Sequence, residues 1–456
     1  MERIVRMASM VRRTAVGCML RVGPGPRWLR GFVVIQIVAI LTAGVSIALK
    51  AKMLVGPDER AHVSYIQIIV DDHRLPEQDI DCVSEALHEL QPASFFVPCS
   101  KEAGSSYEAF QPPLYYLVAA PVFAVVPGLA NKVYALRIMD VVMLALGVAA
   151  LWWLAFEVLG EDRIYGVALG LCAFAIPGLV VYQTVVSNDA LEFPRAFAVL
   201  AACARATRMP HRRSPMILAA ILFGAVVLTK LTSAYLFLPV GAAMIYRLWH
   251  DQTRARAVET LVAALIPMLM LAPWLALNEK RYHSLTADHL AHVEQLPTLN
   301  PRGIRLTWGQ VPALDRTLTA SYMPKMCGVP QPNQPGEPLR DPTAYVFLAL
   351  MVLGPLVLIS RKQSLVALFT LLPVGADLLF LDATYVLAQQ KLDMARFLDP
   401  TLPPFALGLA VVVAGRQRQY IRWISYLSVA VFAGAFLFWI TTALPTGFVC
   451  TQRIIN

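Results

Sequence analysis

Long apolar runs are the feature that most limits what this chain can fold into. Residues 31–49, 344–359 and 421–444 are almost free of charged side chains. An α-helix needs about 20 apolar residues to cross the hydrocarbon core of a bilayer. The whole chain is 57% hydrophobic and 15% charged, which is more apolar than one soluble core requires. We therefore predict an all-α polytopic bundle of transmembrane helices.

The distribution of basic residues decides how many of the apolar runs cross the membrane. Twelve runs are candidates, and the doubtful one is 113–127, which is short and flanked by prolines. If it crosses, the basic loops at 205–213, 247–256, 361–362 and 416–422 all face outward, against the positive-inside rule. If it lies in the outer interface, all four loops face the cytoplasm. The sequence therefore predicts about eleven spans, with the N-terminus inside. They are placed at 31–49, 134–157, 164–182, 189–204, 215–229, 231–246, 257–276, 344–359, 364–381, 402–414 and 421–444.

This topology divides the chain into a basic cytoplasmic N-terminus, residues 1–30, and one membrane domain, residues 31–456. The N-terminus carries seven arginines and lacks the apolar core of a cleaved leader, so the first span is expected to be an uncleaved signal anchor. Two large loops, 50–132 and 277–342, and a smaller one, 382–401, are placed outside. Because these loops hold most of the acidic, histidine and aromatic residues, the chemistry is expected there. We predict a bacterial cytoplasmic membrane protein of the cell envelope.

The net charge and the cysteines of the chain limit which partners and which disulfides are expected. The net charge of +9 comes from short basic clusters between apolar runs, which membrane orientation explains, so nucleic-acid binding is not expected. Four of the seven cysteines are placed outside, where three pairings are open. We favour a disulfide between Cys82 and Cys99 because a loop of that length closes easily, and the alternative is that the outer cysteines are unpaired.

Two segments of the first outer loop carry candidate chemistry. Residues 56–62 read G-P-D-E-R-A-H, and residues 107–116 read Y-E-A-F-Q-P-P-L-Y-Y. In a helix Asp58 and His62 share one face, where they can move a proton or hold a metal ion. The alternative is a helix start in which Asp58 and Glu59 complement the positive end of the helix dipole.

These segments, with R-L-P at residues 74–76, resemble the first loop of the GT-C superfamily of polyprenyl-phosphate-sugar glycosyltransferases. Protein O-mannosyltransferases and lipid A aminoarabinose transferases are members. V-S-N-D-A-L at 186–191 and A-R-F-L-D-P at 395–400 are further similarities. The chain departs from the family at Gln111, where His is frequent, and at Phe397, where Tyr is frequent.

The resemblance implies a GT-C-like fold and a set of site residues. Asp58 is the expected base that activates the acceptor, with Glu59, His62 and Asp189 as further catalytic candidates. For Asp189 and its neighbour the alternative is capping of the following span. Substrate contacts are assigned to Asn188, Gln111 and Tyr115.

A lipid-linked donor leaves a phosphate anion, so cations are needed near the outer leaflet. Lys230, Arg396 and Arg137 are the candidates, and interfacial snorkelling is the alternative for each. Glu192 and Arg195 lie one turn apart inside a span, and we expect them to pair locally. No cofactor is certain. A divalent metal is possible, and Asp58, Glu59 and His62 would be its ligands.

The sequence thus predicts a glycosyltransferase, expected to be inverting. It would move a hexose or pentose from a polyprenyl-phosphate donor to a glycan, lipid or protein acceptor at the outer face, in contact with membrane lipid. Two alternatives stay open: a transporter or flippase of a lipid-linked glycan, and a polysaccharide polymerase or ligase. A transporter usually carries inverted repeats and ionisable residues at the bilayer midplane, whereas most acidic residues here fall in outer loops.

Overall fold

A computed structural model gives the architecture of the chain. It describes residues 27–90 except 52, 55, 57 and 79, residues 108–159, 183–287 and 307–311, and residues 372, 375–379, 381–383 and 386. Within this part the chain is helical and contains no strand. The predicted spans 164–182, 344–359, 402–414 and 421–444 lie outside the described residues.

Nine α-helices and two 3₁₀ helices make up the described residues. In chain order they are α1 (Arg27–Lys50), α2 (Glu59–Asp72), α3 (Glu85–Glu89), α4 (Leu114–Val125), α5 (Leu129–Leu159), α6 (Asp189–Arg208), α7 (Ser214–Val227), the 3₁₀ helix Leu231–Leu236, α8 (Phe237–His250), α9 (Arg254–Tyr282) and the 3₁₀ helix Trp308–Gln310.

Three segments are long and apolar enough to cross a membrane by length and composition. They are Leu129–Val158, Leu231–His250 and Arg254–Tyr282, and shorter apolar helices occur at Gln36–Lys50, Leu114–Val125 and Ser214–Val227. The 12 residues of α4 span only about 18 Å at 1.5 Å per residue, less than the ~30 Å core. That 113–127 does not cross stays a prediction, because α7, with 14 residues, is also shorter than the core. The total of eleven spans stays a prediction.

The central helix of the bundle is α6, which is buried along most of its length. It packs against α5, α7 and α8, and a Cβ atom at Gly147 would clash with the ring of Phe193, so α5 and α6 approach closely. Their apolar side chains form one core with α1, α7, α8 and α9. Because α6 is surrounded by protein, it can carry polar residues that a lipid-facing helix could not.

A second apolar core lies where the first outer loop meets the bundle. Val63, Tyr65 and Ile66 of α2 pack with Tyr116 and Phe123 of α4, and each is at most 1% exposed. Helix α2 thus lies on α4, which in turn contacts α5. The outer loop is therefore a packed layer on the end of the bundle.

The same loop is also tied to the far end of α9. The Arg281 guanidinium donates to the Pro76 carbonyl (2.9 Å), and the Gln78 backbone N–H donates to the Tyr282 hydroxyl (3.0 Å). Since α9 leads into the second outer loop, these contacts join the beginnings of the two large loops.

An ion pair closes the segment that α9 holds. Arg74 donates to both oxygens of Asp81 (2.7 and 2.5 Å), and the Glu77 backbone N–H donates to the same carboxylate (2.6 Å). Burial alone would raise the pKa of Asp81, but these donors hold it below its ordinary value. The segment therefore keeps its shape at neutral pH.

The disulfide between Cys82 and Cys99 stays a prediction, because Cys99 lies outside the described residues. Cys203 is free and buried within α6, where a span was predicted.

Topology can be tested at two exposed positions, Ala86 in the first outer loop and Gln252 between α8 and α9. We expect a membrane-impermeant maleimide to label an Ala86→Cys variant in intact cells. A Gln252→Cys variant should react only after the membrane is permeabilised, because its loop is basic. The parent protein controls for native cysteines, and labelling of Gln252→Cys in intact cells would reverse the orientation.

Candidate active site

A buried ion pair between Glu59 and Arg137 is the centre of the outer site. Glu59 begins α2, and Arg137 lies in α5. Arg137 Nε donates to Glu59 Oε1 (2.6 Å) and Nη2 donates to Oε2 (2.7 Å), and both side chains are 0% exposed. This bidentate geometry is the strongest arrangement of a guanidinium and a carboxylate.

The same two side chains also bind backbone from three other segments. Arg137 Nη1 donates to the carbonyls of Ala48 (3.1 Å) and Ala51 (2.9 Å) at the end of α1. Glu59 accepts from the N–H of Val186 (3.1 Å), and of Gly56 (3.3 Å). The ion pair therefore fixes the start of α2 against α1, α5 and the segment before α6. Neither side chain is exposed. The Arg137 guanidinium therefore does not reach a surface at which it could make the predicted phosphate contact.

Asp58 stands next to this pair in a different environment. It is the N-cap residue of α2, with a left-handed backbone (φ 58°, ψ 2°) and no side-chain cap bond. Asp tolerates this conformation better than most residues. Whereas Glu59 is fully buried, Asp58 is partly exposed. The helix-start alternative is thus right about position, but the Asp58 carboxylate does not cap the helix.

His62 is turned to the interior. Its Nδ1 lies 2.9 Å from the Tyr116 hydroxyl, and Tyr116 stacks on Tyr65 with ring centroids 3.6 Å apart. The Tyr65 hydroxyl donates to the Gln111 carbonyl (3.2 Å). Burial raises the pKa of the Tyr65 phenol, so it remains a neutral donor. This aromatic stack binds α2 to the double-proline segment.

Tyr115 is buried as well, on the α5 side. Its hydroxyl donates to both oxygens of Asp140 (3.1 and 3.0 Å), and the N–H of Ser187 donates to Asp140 Oδ2 (3.3 Å). Asp140 is one turn beyond Arg137 on α5, and both are 0% exposed. The Tyr115 hydroxyl is therefore engaged in a buried structural hydrogen bond and is not exposed for the predicted substrate contact.

The next residues bring three parts of the chain together. The Asn188 side-chain amide donates to Gln111 Oε1 (3.3 Å) and to the Thr229 carbonyl (3.2 Å). Asn188 is the N-cap residue of α6 but makes no side-chain cap bond. The two predicted substrate residues Asn188 and Gln111 are thus in contact.

Lys230 lies between two carboxylates of α6. It donates to Asp189 and forms an ion pair with Glu192 (3.1 Å), and all three side chains are less than 10% exposed. Glu192 also accepts from the Ser233 hydroxyl. Two carboxylates around one ammonium leave an excess of negative charge, which is costly in a membrane domain.

The expected local pair of Glu192 and Arg195 is wrong. Glu192 pairs with Lys230, while Arg195 donates to the Thr229 hydroxyl (2.6 Å). Both side chains reach the turn after α7, because a packed neighbour can offer a partner closer than the next helical turn does.

Sequence reasoning missed three buried polar residues near the site. Asp140 has just been described, and Tyr235 and Asp377 lie close enough to interact electrostatically with each other, Tyr235 doing so with Glu192 too. Asp140 had a signal, an acid inside an apolar run. Asp377, in the predicted span 364–381, carried the same signal.

Two predicted features are not assembled in the described part of the chain. Glu59 and His62 point to different partners, and no group of three His, Cys, Asp or Glu side chains among the described residues converges to hold a metal ion. Arg396 lies outside the described residues, so its role stays a prediction.

Comparison with solved structures identifies the fold. ArnT from Cupriavidus metallidurans, in crystal structures bound to undecaprenyl phosphate and in the apo state, matches with a TM-score of 0.52 in both cases. Identity is 14% and 16%, over 92% of this chain and 75% and 74% of ArnT. The apo oligosaccharyltransferase of Archaeoglobus fulgidus matches with a TM-score of 0.49 and 14% identity, over 91% of this chain and 56% of that chain. No protein-family model and no curated protein sequence matches.

The ArnT fold is the one that the predicted resemblance to lipid A aminoarabinose transferases implies, so that resemblance is confirmed at the level of the fold.

The buried pair can be tested through stability. Breaking a buried ion pair leaves an uncompensated charge and costs about 3–5 kcal/mol, so a Glu59→Gln variant should unfold at a much lower temperature in detergent. A Glu59→Leu/Arg137→Met variant, which removes both charges, should recover part of the loss. Glu85→Gln is the control, since Glu85 is exposed. Equal stability of Glu59→Gln and Glu85→Gln would contradict the central place of the pair.

Proposed function

We propose that this chain transfers a sugar from a polyprenyl-phosphate donor to an acceptor at the outer face of the membrane. The observation that carries the proposal is the contrast between Asp58 and four buried carboxylates of the candidate site. Glu59, Asp140, Asp189 and Glu192 are all buried against strong donors, whereas Asp58 beside them is partly exposed. One carboxylate is thus presented from a rigid, buried frame.

Asp58 is the proposed general base. An inverting transfer needs one carboxylate to take the acceptor proton as the nucleophile attacks the anomeric carbon. Asp58 is partly exposed, whereas the bidentate contact with Arg137 holds Glu59 in the interior. We propose that Glu59 and Arg137 position Asp58, and that His62 contributes by fixing α2 through Tyr116.

The proposed donor site is the Asp189–Lys230 region. A phosphate leaving group needs a cation, and Lys230 is the described cation at the edge of the segment that holds Asn188 and Gln111. Asp189 and Glu192 would hold the ammonium in place before the donor arrives. Arg396 would add a second charge.

The donor class is supported by the fold. ArnT has been crystallised with undecaprenyl phosphate, and an outward site also favours a lipid carrier, because nucleotide sugars are made in the cytoplasm. The sugar, the acceptor and the stereochemical course are part of the proposal, and an inverting transfer of a hexose or pentose remains our expectation. A flippase of a lipid-linked glycan is the second candidate, favoured by the buried ionisable group around Glu192 and Lys230.

The base can be tested by replacing Asp58 with Asn, which keeps the size and removes the proton acceptor. Loss of general-base assistance costs about 100- to 10,000-fold in rate, so turnover of the lipid donor should almost vanish while donor binding persists. Asp71→Asn is the matched control, because Asp71 is exposed near the other end of α2. Near-normal turnover of Asp58→Asn would remove Asp58 from the mechanism.

Lys230 has two possible roles that a pair of variants can separate. If Lys230 contacts the phosphate, Lys230→Gln should weaken donor binding by roughly 10- to 100-fold, the value of a hydrogen bond to a charged group. Lys230→Gln/Glu192→Gln removes one of the two carboxylates that lose the ammonium and should be equally weak. Recovery of donor affinity in the double variant would show that Lys230 serves only to neutralise Glu192.

A further inference from the structure

The end of the bundle opposite the candidate site carries a second concentration of charge. It is formed by the turn between α6 and α7 and the turn between α8 and α9. The transfer reaction proposed above does not use this end. Its arginines divide into a set that is paired with carboxylates and an exposed set that forms no ion pair among the described residues.

In the paired set, carboxylates of the protein neutralise the charge of the arginines. Arg205 and Arg208 bind Glu157 (3.3 and 3.4 Å), and Arg247 binds Glu259 (2.7 Å). These arginines account for two of the three carboxylates that the described residues place at this end.

The third carboxylate is bound by Arg256. This guanidinium donates to Asp251 (3.1 and 3.3 Å) and contacts Glu259. No acidic side chain in the described part of this end is left to offset further charge.

Arg247 also joins the two turns into one surface. It is buried and donates to the carbonyls of Ala206 (2.8 Å), Met209 (3.3 Å) and Arg212 (2.7 Å) while it holds Glu259 on α9. The rings of His211 and His250, one on each turn, lie 6.4 Å apart. Arg247 thus holds the two turns in a fixed arrangement.

The exposed arginines lie on these two turns. Arg212, Arg213 and Arg254 are exposed, and none of them forms an ion pair in the described part of the chain. Exposed His211 and His250 stand beside them. We call these five residues the basic platform.

Exposed apolar side chains of α8 lie next to the basic platform. Trp249 (78% exposed) and Ile245 (69% exposed) project from the last turns of α8. Exposed tryptophan at the end of an apolar helix is typical of the membrane–water interface. The arginines therefore lie at the height of the lipid headgroups, which suits a phospholipid better than a large soluble polyanion.

We propose that the basic platform is a binding site for anionic phospholipid headgroups of the leaflet it faces. Three exposed arginines that have no unpaired acidic neighbour among the described residues complement a phosphodiester, and the apolar side chains beside them fit the acyl chains. On the predicted topology this leaflet is the cytoplasmic one, where anionic lipid gives a negative surface potential. The site would anchor the bundle at the end away from the chemistry.

The test uses the purified full chain in detergent, titrated with phosphatidylglycerol or phosphatidylcholine and followed by native mass spectrometry. An arginine near a charged membrane surface contributes about 5-fold in affinity, so Arg212→Gln/Arg254→Gln should bind phosphatidylglycerol roughly 30-fold more weakly. Lys50→Gln/Lys280→Gln is the control, because it removes two exposed charges from the opposite end. It should keep the affinity of the parent.

Several outcomes would overturn the proposal. Equal loss in the two double variants would show a general charge effect, and unchanged binding in both would exclude the platform. Equal binding of phosphatidylcholine, or displacement by soluble glycerol phosphate at similar concentration, would show that an anionic lipid is not what is recognised. If the arginine variant does not fold, the parent alone decides, because its phosphatidylglycerol affinity must fall as salt is raised.

Discussion

The half of the bundle that carries the candidate site depends on one interaction, the buried ion pair of Glu59 and Arg137. It gathers the end of α1, the start of α2, a turn of α5 and the backbone before α6 around two side chains. A buried pair of this kind contributes less to net stability than to geometry, because its desolvation offsets much of its attraction. Its effect here is that α2 can start in only one position, and that position presents Asp58.

The polar residues around this pair are arranged by the cost of burying charge. Asp140 is satisfied by Tyr115 and Ser187, and the two carboxylates of α6 share Lys230. A membrane domain can hold such groups only where protein surrounds them, and α6 supplies that environment. The opposite end of the bundle repeats the logic with Arg247 and Glu259.

Helix positions were accessible from the sequence, and partners were not. The predicted spans 134–157 and 189–204 fall on helices α5 and α6. The apolar length of α5 is a local signal, whereas the crossing of the membrane by α6 stays a prediction. The short α4 followed from its prolines and from charge. The ion-pair partner of Glu59, however, lies 78 residues away in the sequence. Glu192 has Arg195 one helical turn along the chain, yet it pairs with Lys230 from another segment. Only packing decides between them.

The central claim is that a lipid-linked sugar is consumed at the outer face of this fold. Its most direct measurement is mass spectrometry of the lipids after the purified protein has been incubated with a panel of polyprenyl-phosphate sugars and candidate acceptors. We expect at least one donor to be converted to free polyprenyl phosphate, with its sugar on an acceptor. Intact donors throughout, together with movement of a lipid-linked glycan across proteoliposome membranes, would contradict it and identify a flippase.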